Sequence, residues 1–219
     1  MPIHKIEKQY IDNITQHQRE EMLSVFEQDK DGAILIPYEH KGYTCNDINI
    51  SFNSKVKAIS MFSGAGGLDI GTQLAGVKVI ASLDVFEDSV ETLRRNPFFK
   101  DSYHEHGDIT KIDGSHYSEI LKKEKPKKLI IVGGPPCQPF SKAGYWVTNE
   151  KRNSSEDPRN MIEPYFKIIS ELKPDGFVLE NVESILHPSN KEAVENIYAN
   201  IERLGYKCSM LKVNAADYG

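Results

Sequence analysis

The chain has 219 residues, 39% of them hydrophobic and 27% charged, with a formal net charge of −5. Such a length suits one ordinary domain with or without an appendage, and the composition excludes a disordered or fibrous chain. No stretch approaches the about 18–20 apolar residues that cross a bilayer, and the start lacks the apolar core of a signal peptide, so a cytoplasmic protein without membrane partners is expected.

Residues 1–55 read differently from the rest. Ile6, Tyr10, Ile11 and Ile14, then Met22, Leu23, Val25 and Phe26, recur at helical spacing. Residues 33–36 form a short apolar run ended by Pro37, and residues 43–52 partly alternate like a strand. With six basic against nine acidic residues, this part makes a poor clamp for DNA. Glu27, Asp29, Asp31 and Gly32 suggest a calcium loop, but Tyr38 stands where the twelfth-position glutamate is needed. The segment is read as a small N-terminal extension of unknown role.

From residue 56 strands and helices alternate. An apolar run over 56–61 breaks at Ser63-Gly64-Ala65-Gly66-Gly67, and helix follows to Leu74. Residues 77–83 predict a strand, 87–95 a helix stopped by Asn96-Pro97, and the surroundings of Tyr103 a weak strand leading to Gly107-Asp108. A short helix over 115–121 precedes a buried strand over 129–132, which Gly133-Gly134-Pro135-Pro136 stops. Then come an amphipathic stretch over 158–172, a buried strand over 177–179, a helix over 191–204 and a strand-like run over 206–213. Repeated β-α units predict an α/β fold over 56–219, with a mostly parallel sheet, right-handed crossovers and helices on both faces. Five lysines within 122–128 enter a strand at its N-terminal edge. Ligands of such sheets bind beyond the carboxyl ends, so these lysines are read as a solvated loop.

Three successive strand ends carry polar chemistry. Closely spaced glycines after the first strand let the backbone approach a ligand and open a helix whose amides face it, or make only a tight turn. The dinucleotide fingerprint wants a third glycine where Asp69 stands, which speaks against a nicotinamide cofactor. Asp84 ends the next strand, where a carboxylate can accept ribose hydroxyls. Asp108, after the third, can accept from an adenine amino group. Together they suggest a nucleoside pocket.

Cys45, Cys137 and Cys208 are too scattered for a disulfide framework and include no Cys-x-x-Cys pair for zinc, so no metal is expected. Cys137 follows two glycines and two prolines at a core strand's carboxyl end, a stiff turn that exposes a thiol to the cleft. As a nucleophile it must ionise, which needs local donors. Gln138, Ser141 and Lys142 open a long polar stretch that can close over a substrate, with Gly144 as hinge. Glu180-Asn181-Val182 ends the next strand beside it. A carboxylate raised by burial there can share a proton with a ring nitrogen, and Asn181 can also cap a helix.

Phe62-Ser63-Gly64-Ala65-Gly66-Gly67-Leu68, Gly133-Gly134-Pro135-Pro136-Cys137-Gln138-Pro139-Phe140-Ser141 and Glu180-Asn181-Val182 resemble the motifs of the cytosine C5 DNA methyltransferase family, in its order and spacing. Residues 214–219 resemble the start of its next block. The resemblance implies a Rossmann-like fold binding S-adenosylmethionine and yielding S-adenosylhomocysteine. Phe62 and the 63–68 loop would hold the cofactor, with Phe62 against the adenine; Asp84 would bind the ribose and Val85 flank the adenine. Asp108 and Ile109 would contact the adenine, and Pro136 would line the cofactor pocket. Cys137 would attack C6 of a flipped-out cytosine while Glu180 engages N3 and the exocyclic amine. Gln138, Phe140 and Ser141 would form the substrate loop, Asn181 would orient the active-site loops, and Arg159 matches the arginine after the mobile loop.

Two departures stand out. Ser60 occupies a position where the family commonly has Asp. The family also continues past Tyr218-Gly219 into an arginine-bearing block and a target-recognition domain that reads the groove. The expectation is therefore the catalytic half of a double-stranded DNA methyltransferase, a truncation or a subunit complemented by a C-terminal partner, and paired with a restriction endonuclease if it protects a restriction site. Rival readings are a transfer-RNA cytosine methyltransferase of the same family, a non-catalytic cofactor-binding module and, more remotely, a nicotinamide-linked oxidoreductase.

Overall fold

The computed structural model describes residues 50–53, 55–136 and 160–214, with two short strands before them, β1 (Glu27–Gln28) and β2 (Ile34–Leu35). The chain divides into two units, 1–44 and 45–219. In the first, β1 and β2 pair antiparallel, Glu27 opposite Leu35. The helical spacing expected over 6–26 lies outside the described residues, as does most of 43–52.

The second unit is built on five strands: β3 (Val56–Met61), β4 (Lys78–Asp84), β5 (Tyr103–His106), β6 (Lys128–Gly133) and β7 (Gly176–Leu179). Their order is β5-β4-β3-β6-β7, and every neighbouring pair is parallel. Helices α1 (Gly67–Leu74), α2 (Glu87–Arg95), α3 (Ser118–Glu124), α4 (Ile162–Leu172) and α5 (Lys191–Arg203) fall between or after them. Residues 58–61 of β3 and 79–84 of β4 are all buried, as parallel strands covered on both faces must be. The main core gathers Ile59, Met61 and Ile131 from the sheet with Tyr165, Phe166, Ile168 and Ile169 of α4. Each such side chain contributes about 1.5–3 kcal/mol.

The chain moves outward from β3 to β4 to β5, then crosses back to lay β6 on the other side of β3. At such a reversal the two loops leaving adjacent strands diverge and leave a crevice at the carboxyl edge. Here those are the loops after β3 and β6, which carry the glycine-rich and proline-rich motifs. The lysines of 122–128 lie instead on α3, in the loop after it and at the opposite end of β6; all are exposed, and Lys128 pairs with Asp175 at 2.6 Å.

Two expectations are corrected. β7 is an edge strand rather than a buried one, and Val178 is 47% exposed. Residues 206–213 form no strand, because no described strand pairs with them. The segment is anchored at its start, where the Tyr206 ring packs edge-on against Phe177 and its hydroxyl donates to the Pro174 carbonyl, and further on by a Lys212–Glu183 ion pair. Met210, Leu211 and Val213 are exposed. Among the described residues no helix is long and apolar enough to cross a membrane.

Candidate cofactor and catalytic site

The turn after β3 takes left-handed backbone at Phe62 (φ 56°), Gly64 (φ 52°) and Gly66 (φ 92°). For Phe62, which has a Cβ, that conformation costs on the order of 1–3 kcal/mol. The surrounding structure holds it there. The Ser63 amide donates to the Leu83 carbonyl at 3.2 Å, and the Gly66 amide to the Ser63 carbonyl at 2.9 Å. A Cβ on Gly66 would lie 2.6 Å from Leu93 and 2.8 Å from Phe99, so only glycine lets α1 start this close to α2. At Gly64 and Gly67 a Cβ would meet nothing within 4 Å. That side of the loop is open to a ligand. Ala65 is exposed and Leu68 half-buried beside it.

Asp84 is buried at the carboxyl end of β4. Its Oδ2 accepts the Gly64 amide at 2.8 Å and its Oδ1 accepts the Phe86 amide at 2.9 Å. A carboxylate has about four acceptor positions, so room remains for ribose hydroxyls. Val85 and Phe86, 54% and 69% exposed, make an apolar patch next to it. His106, in register with Asp84, directs Nε2 to the Val85 carbonyl at 3.0 Å and ties β5 to this patch. Asp108 caps the turn that follows β5: its Oδ1 accepts the Thr110 amide at 3.0 Å and hydroxyl at 2.7 Å, and Lys111 lies 3.3 Å from Oδ2. The Thr110 bonds, then Lys111, hold this carboxyl below its usual value. Ile109 is 5% exposed and belongs to the main core.

At the neighbouring strand ends, the Glu180 amide donates to the Gly133 carbonyl at 2.9 Å and extends the β6–β7 ladder by one residue. A Cβ on Gly133 would lie 2.7 Å from the Tyr165 ring, and one on Gly134 would lie 2.9 Å from Oε2 of Glu180. The two glycines thus admit a tyrosine below and a carboxylate above. The Asn181 side-chain amide donates to the Pro135 carbonyl at 3.1 Å, while its oxygen accepts the Val182 amide. Asn181 therefore braces the Pro-Pro turn rather than capping a helix. Tyr165 joins the two halves of the site: its hydroxyl donates to the Val178 carbonyl at 2.8 Å, and its ring lies 6.4 Å from that of Phe62.

Glu180 is exposed, and no described residue covers it. Pro136 is exposed as well. Cys137, Gln138, Phe140, Ser141 and Arg159 lie outside the described residues. Among those described, no group of three or more His, Cys, Asp and Glu side chains is arranged to hold a metal ion. Sequence reasoning missed Phe86, His106 and Tyr165. The only trace of them is indirect, since they become neighbours of the motifs through strand register and helix packing.

A parallel sheet whose order reverses between β3 and β6, with a glycine turn and an acid at adjacent strand ends, is the Rossmann-like class of α/β fold. Among solved structures, the chain superposes on a protein described as a DNA modification methyltransferase of an E. coli prophage, with a TM-score of 0.54 and 26% identity, covering 68% of this chain and 38% of that one. A methyltransferase from Entamoeba histolytica, at 21% identity and a TM-score of 0.50, shares the fold over 68% of this chain and 44% of its own. Residues 56–219 match the family model of the C-5 cytosine-specific DNA methylases. Similar curated proteins include the Type II methyltransferases M.SacI of Streptomyces achromogenes (30% identical, 76% of this chain, 45% of that protein) and M.FnuDI of Fusobacterium nucleatum (36%, 75% and 43%). M.AquIA of Picosynechococcus is 36% identical over 74% of this chain and 66% of its own length. The chain belongs to the C-5 cytosine-specific DNA methylase family, and it spans less than half the length of M.SacI and M.FnuDI.

Proposed function

We propose that this chain is the cofactor-binding and catalytic part of a DNA (cytosine-5)-methyltransferase of the restriction-modification type. The observation that carries this reading is the seating of Glu180 over Gly134, with Asn181 bracing Pro135, at the strand end that leads into Cys137. Phe62, the open face of the 63–68 loop, Asp84, Val85, Asp108, Ile109 and Pro136 would hold S-adenosylmethionine. The open side at Gly64 and Gly67, beside a buried acid with acceptor positions to spare, fits a nucleoside. When bound, the cofactor supplies an electrophilic methyl group.

The Cys137 thiolate would add to C6 of a cytosine turned out of the duplex, since C6 is unreachable within the stack. With Glu180 engaging N3 and the exocyclic amine, that addition would leave an enamine whose C5 is electron-rich. Once C5 has gained the methyl group, its proton would pass to a solvent base as the C6–S bond breaks and returns the thiolate. Gln138, Phe140 and Ser141 would close over the base, and Arg159 would act beside them. The expected partners are double-stranded DNA, a C-terminal target-recognition region or complementing subunit, and a cognate restriction endonuclease. The outer edge of β7, unpaired among the described residues, and the exposed Met210, Leu211 and Val213 support an addition on that side.

The test is transfer of a labelled methyl group to plasmid DNA, with transfer RNA in parallel, by this chain alone and with a polypeptide supplying the target-recognition region. Label in DNA that is lost in Cys137→Ser supports the reading. Label in transfer RNA instead reassigns the substrate, and no label in either nucleic acid overturns the catalytic role.

A further inference from the structure

Asp69 is the third residue of α1 and is fully buried. A buried carboxylate is costly unless its lone pairs are filled. Both its oxygens are engaged: the Ser60 hydroxyl donates to Oδ1, and the Ser82 hydroxyl donates to Oδ2 at 2.7 Å. Ser60 and Ser82 are register partners on β3 and β4, and Ser82 is in register with His104 on β5. The three form a polar row across an otherwise apolar part of the sheet. His104, 6% exposed, donates from Nε2 to the Phe99 carbonyl at 3.1 Å, while its Nδ1 has no hydrogen-bond partner among the described residues. The ring of the same Phe99 walls in Gly66. Asp84 thus holds the glycine turn through the Gly64 amide, while Asp69 ties the start of α1, which follows the turn, to β3 and β4.

We propose that Asp69, through Ser60 and Ser82, is a positioning residue for cofactor capture. It holds the start of α1 against β3 and β4, so that the turn keeps the left-handed backbone at Phe62, Gly64 and Gly66 and its open face toward the nucleoside. This rests on the cofactor reading above.

Burial penalises the ionised form of Asp69. Burial raises the Asp69 carboxyl above its ordinary value of 3.8, outweighing the two hydroxyls. The charged and titratable groups facing it are His104 of β5 and Asp84 of β4, with Arg94 of α2 acting on His104. With the folded pKa raised, the folded state binds more protons than the unfolded one in the window just above 3.8. Stability therefore falls as pH rises through that window, and the ionised group is a net cost beyond it.

The experiment compares wild type and Asp69→Asn, a change that keeps the shape but leaves one carbonyl acceptor. Three readouts are taken: S-adenosylhomocysteine affinity by calorimetry, the thermal unfolding midpoint, and hydrogen exchange at the Gly64 and Gly66 amides. The expected result is an unfolding midpoint that does not fall, an affinity lower by about tenfold, the scale of one charge-assisted hydrogen bond, and faster exchange at both glycines. Wild-type affinity with unchanged exchange overturns the proposal. Loss of affinity and stability together, or failure to fold, makes Asp69 a fold anchor and overturns it too. Ser82→Ala, which keeps the charge and removes one donor, is expected to show a smaller change in the same direction; wild-type exchange in that variant also overturns it. A wild-type chain that binds no S-adenosylhomocysteine defeats the cofactor reading instead, and exchange at the two glycines then decides the role of Asp69.

Discussion

The side-chain amide of Asn181 donates to the main-chain carbonyl of Pro135 across 3.1 Å, joining the ends of β6 and β7 beyond their ladder. Pro135 has no amide of its own to pair there, and the next residues lead straight to Cys137. Asn181→Ala should lower methyl transfer by the complemented enzyme about 10–100-fold, the usual penalty for a misplaced reacting group. Its affinity for S-adenosylhomocysteine should stay at the wild-type level. Asn181→Asp, which cannot donate, should behave like Asn181→Ala. Normal turnover in both would show that the bond does not position the turn.

Gly134 makes room for a carboxylate. In Gly134→Ala the new Cβ would come within 2.9 Å of Oε2 of Glu180, so the exposed side chain must swing away. Stability should change by less than about 1 kcal/mol, because only the tip of a flexible side chain moves. Methyl transfer should fall severely. Urea unfolding and single-turnover transfer separate the two effects.

The glycines of the first turn should respond unequally. Gly66→Ala meets backbone strain and three contacts under 3.0 Å, one with Leu93 and two with Phe99, and should cost about 2–4 kcal/mol. Gly64→Ala meets open space and should cost only about 1–2 kcal/mol of strain. It should still weaken the cofactor, because the methyl group would stand on the open face. Equal denaturation midpoints for the two variants would refute this packing.

Acid should loosen the chain through Asp108, Asp113 and Asp175. Hydrogen bonds from Thr110, Ser115 and Lys128, respectively, are the main causes that hold these carboxyls below 3.8. Their folded values being depressed, their support is complete above about pH 4–5 and fades as pH falls through the folded values. Asp175→Asn, which removes the charge facing Lys128 and leaves one oxygen for the Leu129 amide, should flatten the acid side of a urea-midpoint profile between about pH 5 and 3. An unchanged profile would remove Asp175 from the account.

Much of the fold could be read from residue pattern alone. The span of α2 follows from its periodicity and Asn96-Pro97, and β6 stops at the Gly-Gly-Pro-Pro stretch because proline cannot continue a ladder. Two readings at the end of the domain did not survive. β7 carries the apolar residues of a core strand yet lies at the edge of the described sheet, and residues 206–213 have a strand's composition without a partner among the described strands. Composition records what a segment can pair with, not whether the partner is at hand.

The motifs behaved the same way. The glycine, proline and acid motifs at strand ends were enough to show the resemblance to the family, since such motifs are written into residue type and spacing. Only folding revealed how Asp84 holds Gly64, how Glu180 lies over Gly134, and how Ser60, Ser82 and His104 line up across three strands beneath Asp69. Those relations join residues as much as 46 positions apart, as from Pro135 to Asn181. They depend on strand order and register, which the packing of the whole sheet sets and no local stretch encodes.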